Sequence, residues 1–80
     1  MQLDILTPEK KVFSGTAKAV QFPGANGSFQ VLDNHAAMVA ALKEGNLKVD
    51  SDNASTNYTI TGGFVEVLKN KVTVLIEGLK

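Results

Sequence analysis

Apolar residues fall at every second position through most of the chain, and most of the gaps between these runs are too short for a crossover helix. Leu3 and Ile5 flank Asp4, Val20 and Phe22 flank Gln21, and Phe29 and Val31 flank Gln30. The pattern returns at Leu47 and Val49, Tyr58 and Ile60, Val65 and Val67, and finally Val72, Val74 and Ile76. A period of two places one side-chain set on one face of a strand and the alternate set on the other. Turn-forming residues separate the runs at Pro23–Gly27, Glu44–Asn46, Ser51–Ser55 and Lys69–Lys71. Strands this closely spaced leave no room for crossover helices, so the expected fold is all-β, a flattened antiparallel β-sandwich. The alternation also names an expected core of Ile5, Val20, Phe22, Phe29, Val31, Val49, Ile60, Val67, Val74 and Ile76.

One segment resists this reading. Asn34 to Glu44 offers an N-capping Asn, an Ala-rich stretch and Gly45 just beyond it, which by local propensity is a short helix. Its centre, Ala36 to Leu42, is apolar all round and equally suits a strand buried between two layers. At seven residues this run is far short of the ~20 needed to cross a bilayer, so no direct membrane insertion is expected.

A chain of 80 residues supports one core, and residues 1–80 are read as a single domain. Eight Lys balance eight acids and there is no Arg, so neither an overall field nor a bidentate fork favours nucleic acid or phosphate. With no Cys, disulfides, thiolate nucleophiles and Cys-based zinc sites are excluded. Met1-Gln2-Leu3-Asp4 has neither the basic nor the apolar region of a signal peptide, which points to a cytoplasmic location. The three sequons, at Asn26, Asn53 and Asn57, are then incidental.

The usual catalytic patterns are missing. The acids fall at turns or on polar strand faces, with nothing to mark a general acid–base pair. His35 is the one imidazole and reads as a positioned loop residue, because no second ligand set or nucleophile motif accompanies it. Gly24–Ser28 lacks the P-loop spacing and precedes a strand, so it reads as a hairpin turn, while Gly62-Gly63 reads as a bulge or tight connection. No cofactor is expected. A binding module therefore outweighs an enzyme, the other readings being a freestanding adaptor domain and a small hydrolase with a borrowed cleft.

Read in order, six segments resemble the N-terminal domain of the epsilon subunit of rotary ATP synthases. They are Leu3–Glu9, Val12–Gly15, Gly27–Leu32, Asn34–Ala36, Gly62–Val67 and Val72–Leu75, and they cover nearly the whole chain. The resemblance implies a non-catalytic rotor component that binds the γ subunit of the central stalk and the membrane c-ring. It meets the catalytic α/β head through the complex and sits peripherally on the cytoplasmic face of a bacterial inner membrane, coupling proton flow to ATP synthesis. It also implies an extended conformation for Ala36–Leu42, overriding helix propensity.

Carried over by position, Thr7, His35, Ala40 and Thr61 belong to the γ-facing side and Ser28 to a ring-facing loop, to which Gln30 and Asp33 are added as neighbours. Met38 is assigned to the γ side on its adaptability at interfaces. Asp33 and Ala37 stand where the family usually has Pro, which restores two backbone N–H groups and loosens φ. The family's C-terminal helical pair, which carries a nucleotide site and an inhibitory function, is expected to be absent from a chain ending at Lys80.

Overall fold

The computed structural model describes all residues, 1–80, and contains nine strands and no helix. They are β1 (Gln2–Leu6), β2 (Lys11–Thr16), β3 (Ala19–Phe22), β4 (Phe29–Leu32), β5 (Met38–Leu42), β6 (Gly45–Asp50), β7 (Ser55–Ile60), β8 (Gly63–Leu68) and β9 (Lys71–Ile76). A five-stranded sheet runs β2-β1-β9-β8-β5 and a four-stranded sheet runs β4-β3-β6-β7. The expected sandwich is thus present, with extents of 27 × 25 × 19 Å.

Alternation builds the core. Leu3, Ile5, Val65, Val67, Val72, Val74 and Ile76 from the five-stranded sheet meet Val20, Phe22, Val31, Leu47, Val49 and Ile60 from the four-stranded sheet, all fully or almost fully buried. Each such side chain contributes roughly 1.5–3 kcal/mol by leaving water. No polar or charged residue is buried with them. Nine of the ten expected core residues are buried; Phe29 is only partly so, because β4 is a sheet edge. Its ring instead stacks on Phe22, with centroids 5.2 Å apart.

Four pairs of consecutive strands form antiparallel hairpins, and the connections between them pass from one sheet to the other. One pairing departs from the antiparallel expectation: β1 and β9, the first and last strands, lie parallel, from Gln2 opposite Lys71 to Leu6 opposite Leu75. Strands joined through the whole intervening chain are free of the hairpin constraint. The β8–β9 hairpin turns through Lys69 and Asn70, both at positive φ (50° and 59°), as a two-residue type I′ turn requires. Strand β2 escapes the alternation signal because its residues are exposed or only half-buried.

Ala36–Leu42 settles as a strand at its C-terminal part, Met38–Leu42, with Ala36 and Ala37 outside it. A helix of this length would be marginal alone, whereas pairing with β8 along Met38↔Val67 to Leu42↔Gly63 supplies a ladder. The strand is not sandwiched between two layers, however. Met38, Ala40 and Leu42 turn inward, while Val39 and Ala41 are exposed on the outer face.

Candidate docking surface

The registers that fix the core also fix what each sheet shows to solvent, and the two outer faces differ in chemistry. On the five-stranded sheet one outward row runs Ala41, Phe64, Leu75 and Leu6 across β5, β8, β9 and β1. The next row begins with Val39 and continues through Glu66, Thr73, Asp4 and Ser14. Val39 is 72% exposed, Phe64 59% and Leu75 54%. On the four-stranded sheet the outward positions include Gln21, Gln30, Asn46, Lys48, Asn57 and Thr59, with Asn46 Nδ2 donating to Asn57 Oδ1 at 2.9 Å. Single exposed apolar residues need no explanation, but a contiguous stripe of them does.

Two shallow depressions shape that stripe. One, of about 320 Å³, lies between Leu6, Thr7, Pro8, Phe64, Leu75 and Glu77. The other, of about 230 Å³, is shared by Val39, Phe64, Glu66, Thr73 and Leu75. Phe64 and Leu75 stand between the two and are flanked by charge. The Ser14 hydroxyl donates to Asp4 Oδ1 at 2.6 Å and, against the opposing desolvation and with the help of Lys71 and Lys11, holds the Asp4 carboxyl below its usual value. Apolar ground with a polar, charged margin is the anatomy of a protein interface.

The structure spreads the residues expected on the γ side along the molecule rather than gathering them. Thr7 follows β1, where its Oγ1 accepts from the N–H groups of Glu9 (3.2 Å) and Lys10 (3.0 Å). Thr61 lies at the same end, its N–H and hydroxyl both donating to the Gly78 carbonyl. His35 lies at the opposite end, beside the β8–β9 turn, where Asn70 Oδ1 accepts from the Asn34 N–H at 2.8 Å. Its Nδ1 lies 2.8 Å from the Ala36 carbonyl and donates to it. Met38 and Ala40 fall between, on the inward side of the β5 edge, half-buried against the core. They form one wall of a groove of about 490 Å³ whose other wall is the Gly24–Phe29 segment.

The expected ring-facing residues do not share a loop. Ser28 is in the β3–β4 connection, Gln30 is in β4 facing outward, and Asp33 lies past the far end of that strand. Ser28 and Asp33 are thus five residues apart along an extended chain, roughly 16 Å. The Asp33 carboxylate is engaged by the Met1 amino group, which also donates to the Ala17 carbonyl at 2.9 Å.

Val39, Phe64 and Leu75 were not singled out from the sequence. The signal was there: an alternating strand should be polar on its outer face, and β8 and β9 carry Phe64, Leu68 and Leu75 out of phase with their inner Val and Ile residues. No group of three or more His, Cys, Asp or Glu side chains could hold a metal ion.

A sequence model of the family described as "ATP synthase, Delta/Epsilon chain, beta-sandwich domain" matches residues 1–79. Among characterised relatives, the "ATP synthase epsilon chain" of Chlorobaculum tepidum is 49% identical over 76 residues, covering 94% of this chain and 86% of that protein. That of Chlorobium limicola is 44% identical over 77 residues, covering 95% and 88%. Against the 40% identical epsilon chain of Ruegeria sp. the chain spans 56% of the relative's length. The fold agrees with a chain of the Euglena gracilis mitochondrial ATP synthase (TM-score 0.90, 22% identity, 98% of this chain and 51% of that one). It agrees also with one from the Tetrahymena thermophila central stalk and c-ring (0.86, 21%, 99% and 64%). The chain belongs to the family of ATP synthase delta/epsilon β-sandwich domains.

Proposed function

We propose that this chain is a non-catalytic rotor component of a proton-translocating ATP synthase, docking on the γ subunit and meeting the c-ring at the cytoplasmic face of a bacterial membrane. The observation that carries the reading is the asymmetry of the two outer faces. The five-stranded sheet presents Val39, Phe64 and Leu75 in one contiguous stripe, whereas the four-stranded sheet presents mainly amides, hydroxyls and Lys48, with Leu32 exposed on its edge strand β4. Covering that stripe with a partner gains the hydrophobic term that leaving it wet forfeits. On this reading γ takes the five-stranded sheet together with the β5 edge, where Met38 and Ala40 lie, and Thr7, Thr61 and His35 border it.

The ring contact is assigned to the Gly24–Ser28 loop, with Gln30 and Asp33 further along the same hairpin. The domain contributes rigidity and docking and supplies no chemistry of its own. A nine-stranded body around one apolar core suits a torque-bearing part, which has to be stiff. The test is capture of this chain by the γ subunit of its own organism, followed by reconstitution with membranes stripped of it. Stoichiometric capture and restored coupling of proton flow to ATP synthesis are expected. Failure to bind γ at micromolar concentration would overturn the assignment.

A further inference from the structure

The chain has six asparagines, and one of them, Asn26, precedes a glycine. The side chains of Asn46 and Asn57 bond to each other, and Asn70 Oδ1 holds the Asn34 N–H. Asn26 is exposed in the β3–β4 loop and makes no such contact. Gly27 stands at φ 128° and carries no Cβ, so its backbone has the freedom to swing its nitrogen toward the Asn26 side chain once the turn opens. We propose that Asn26 is a site of spontaneous covalent modification, at which loss of the side-chain amide through a succinimide places a carboxylate at the lip of the groove between this loop and β5.

The chemistry needs only water. The Gly27 backbone nitrogen gives up its proton to solvent base and bonds to Asn26 Cγ. The bond from Cγ to the side-chain nitrogen breaks and ammonia leaves, closing a five-membered ring. Water then opens the ring at either carbonyl, giving aspartate or isoaspartate, so the sum is one amide and one water converted to one acid and one ammonia. At every other asparagine the following residue carries a Cβ that crowds this closure.

The fold gates the reaction. Gly27 N–H donates to the Gly24 carbonyl at 3.0 Å, closing the turn, and that bond must be released before the nitrogen can attack. Either product adds a negative charge beside Ser28, and isoaspartate lengthens the main chain by one carbon at the turn. The groove that this loop forms with Met38 and Ala40 then changes in both shape and charge.

The experiment incubates the folded chain and a urea-unfolded sample in neutral and mildly alkaline buffer and locates amide loss by peptide fragmentation. Asn26 is expected to lose its amide first, to give both acids, and to react faster at the higher pH and in the unfolded sample. Gly27→Ala should slow the loss on the order of tenfold, because a Cβ restricts the backbone approach that glycine permits. Asn26→Gln should remove the loss at that position. Reaction at another asparagine first would overturn the proposal. So would an intact Asn26 in the folded chain after the unfolded sample has fully reacted.

Discussion

Gly62 lies in the crossing from β7 to β8 and Gly63 opens β8; the two have almost the same φ, 153° and 154°, but their surroundings differ. A Cβ on Gly63 would fall 2.2 Å from the Leu75 carbonyl oxygen and 2.8 Å from Ile76 Cα, both backbone atoms of the paired strand β9. A Cβ on Gly62 would first meet the carboxyl end of Glu77, at 3.3 Å, which can swing away. Replacing either with Ala incurs backbone strain of about 1–3 kcal/mol. The Gly63 variant must also push β9 aside, adding an overpacking cost of about 1–3 kcal/mol. Gly63→Ala should therefore lose about 2–6 kcal/mol, against a total stability of about 4–12 kcal/mol for a domain of this size. In a thermal scan each kcal/mol moves the midpoint by roughly 4–8 °C. Circular dichroism of the β signal is the appropriate probe, since the chain has no Trp. Equal losses for Gly62→Ala and Gly63→Ala would refute the close approach of Gly63 to β9.

Further outcomes follow from named contacts. Val74 is fully buried at the centre of the five-stranded sheet, so Val74→Asp should unfold the domain; an unchanged melting temperature would remove it from the core. The Ser14 hydroxyl, with Lys71 and Lys11, lowers the Asp4 carboxyl, so this group's contribution to stability is fully present above its unfolded value near 3.8 and is lost as pH falls through the lower folded value. Asp4→Asn should flatten acid unfolding in that window, and an unaltered profile would assign the acid sensitivity elsewhere. Lys69 occupies the left-handed region, where Asn is better tolerated, so Lys69→Asn should stabilise the β8–β9 turn by about 0.5–1 kcal/mol in urea unfolding. A loss of stability would argue against the type I′ geometry. Asn70 should be left alone because its side chain also ties down Asn34.

Much of the fold is legible because the inner face is written in period two. Leu3 and Ile5, Val65 and Val67, and Val72 to Ile76 each name their buried side, and the spacing between runs excludes helical crossovers. Strand β5 is less legible, since Ala-rich sequence favours helix locally and only pairing with β8 decides otherwise. The parallel β1–β9 contact is invisible in local sequence, being a long-range pairing that no turn specifies. For the candidate docking surface the six segments supplied the family and a set of expected positions, which the structure spreads along the molecule. They did not supply the stripe itself, which exists only once Ala41, Phe64, Leu75 and Leu6 are brought side by side by register across four strands. Asp33 illustrates the reverse case: by position it belongs to a surface loop, but its carboxylate engages the Met1 amino group.

The most direct test of the docking account is the affinity of γ for two charge-introducing variants, one on each outer face. Phe64 stands in the apolar stripe and Thr59 on the polar sheet, and both are exposed, so neither substitution disturbs the core. Phe64→Asp should weaken γ binding by about 2–4 kcal/mol, as loss of an aromatic anchor does. That corresponds to roughly 30- to 1000-fold in dissociation constant. Thr59→Asp should leave binding within about twofold, as a position outside the interface does. Calorimetric titration with both variants at unchanged melting temperature reads the two numbers directly. A Phe64→Asp variant that binds γ as tightly as the parent, or a Thr59→Asp variant that alone loses binding, would place the interface on the other sheet.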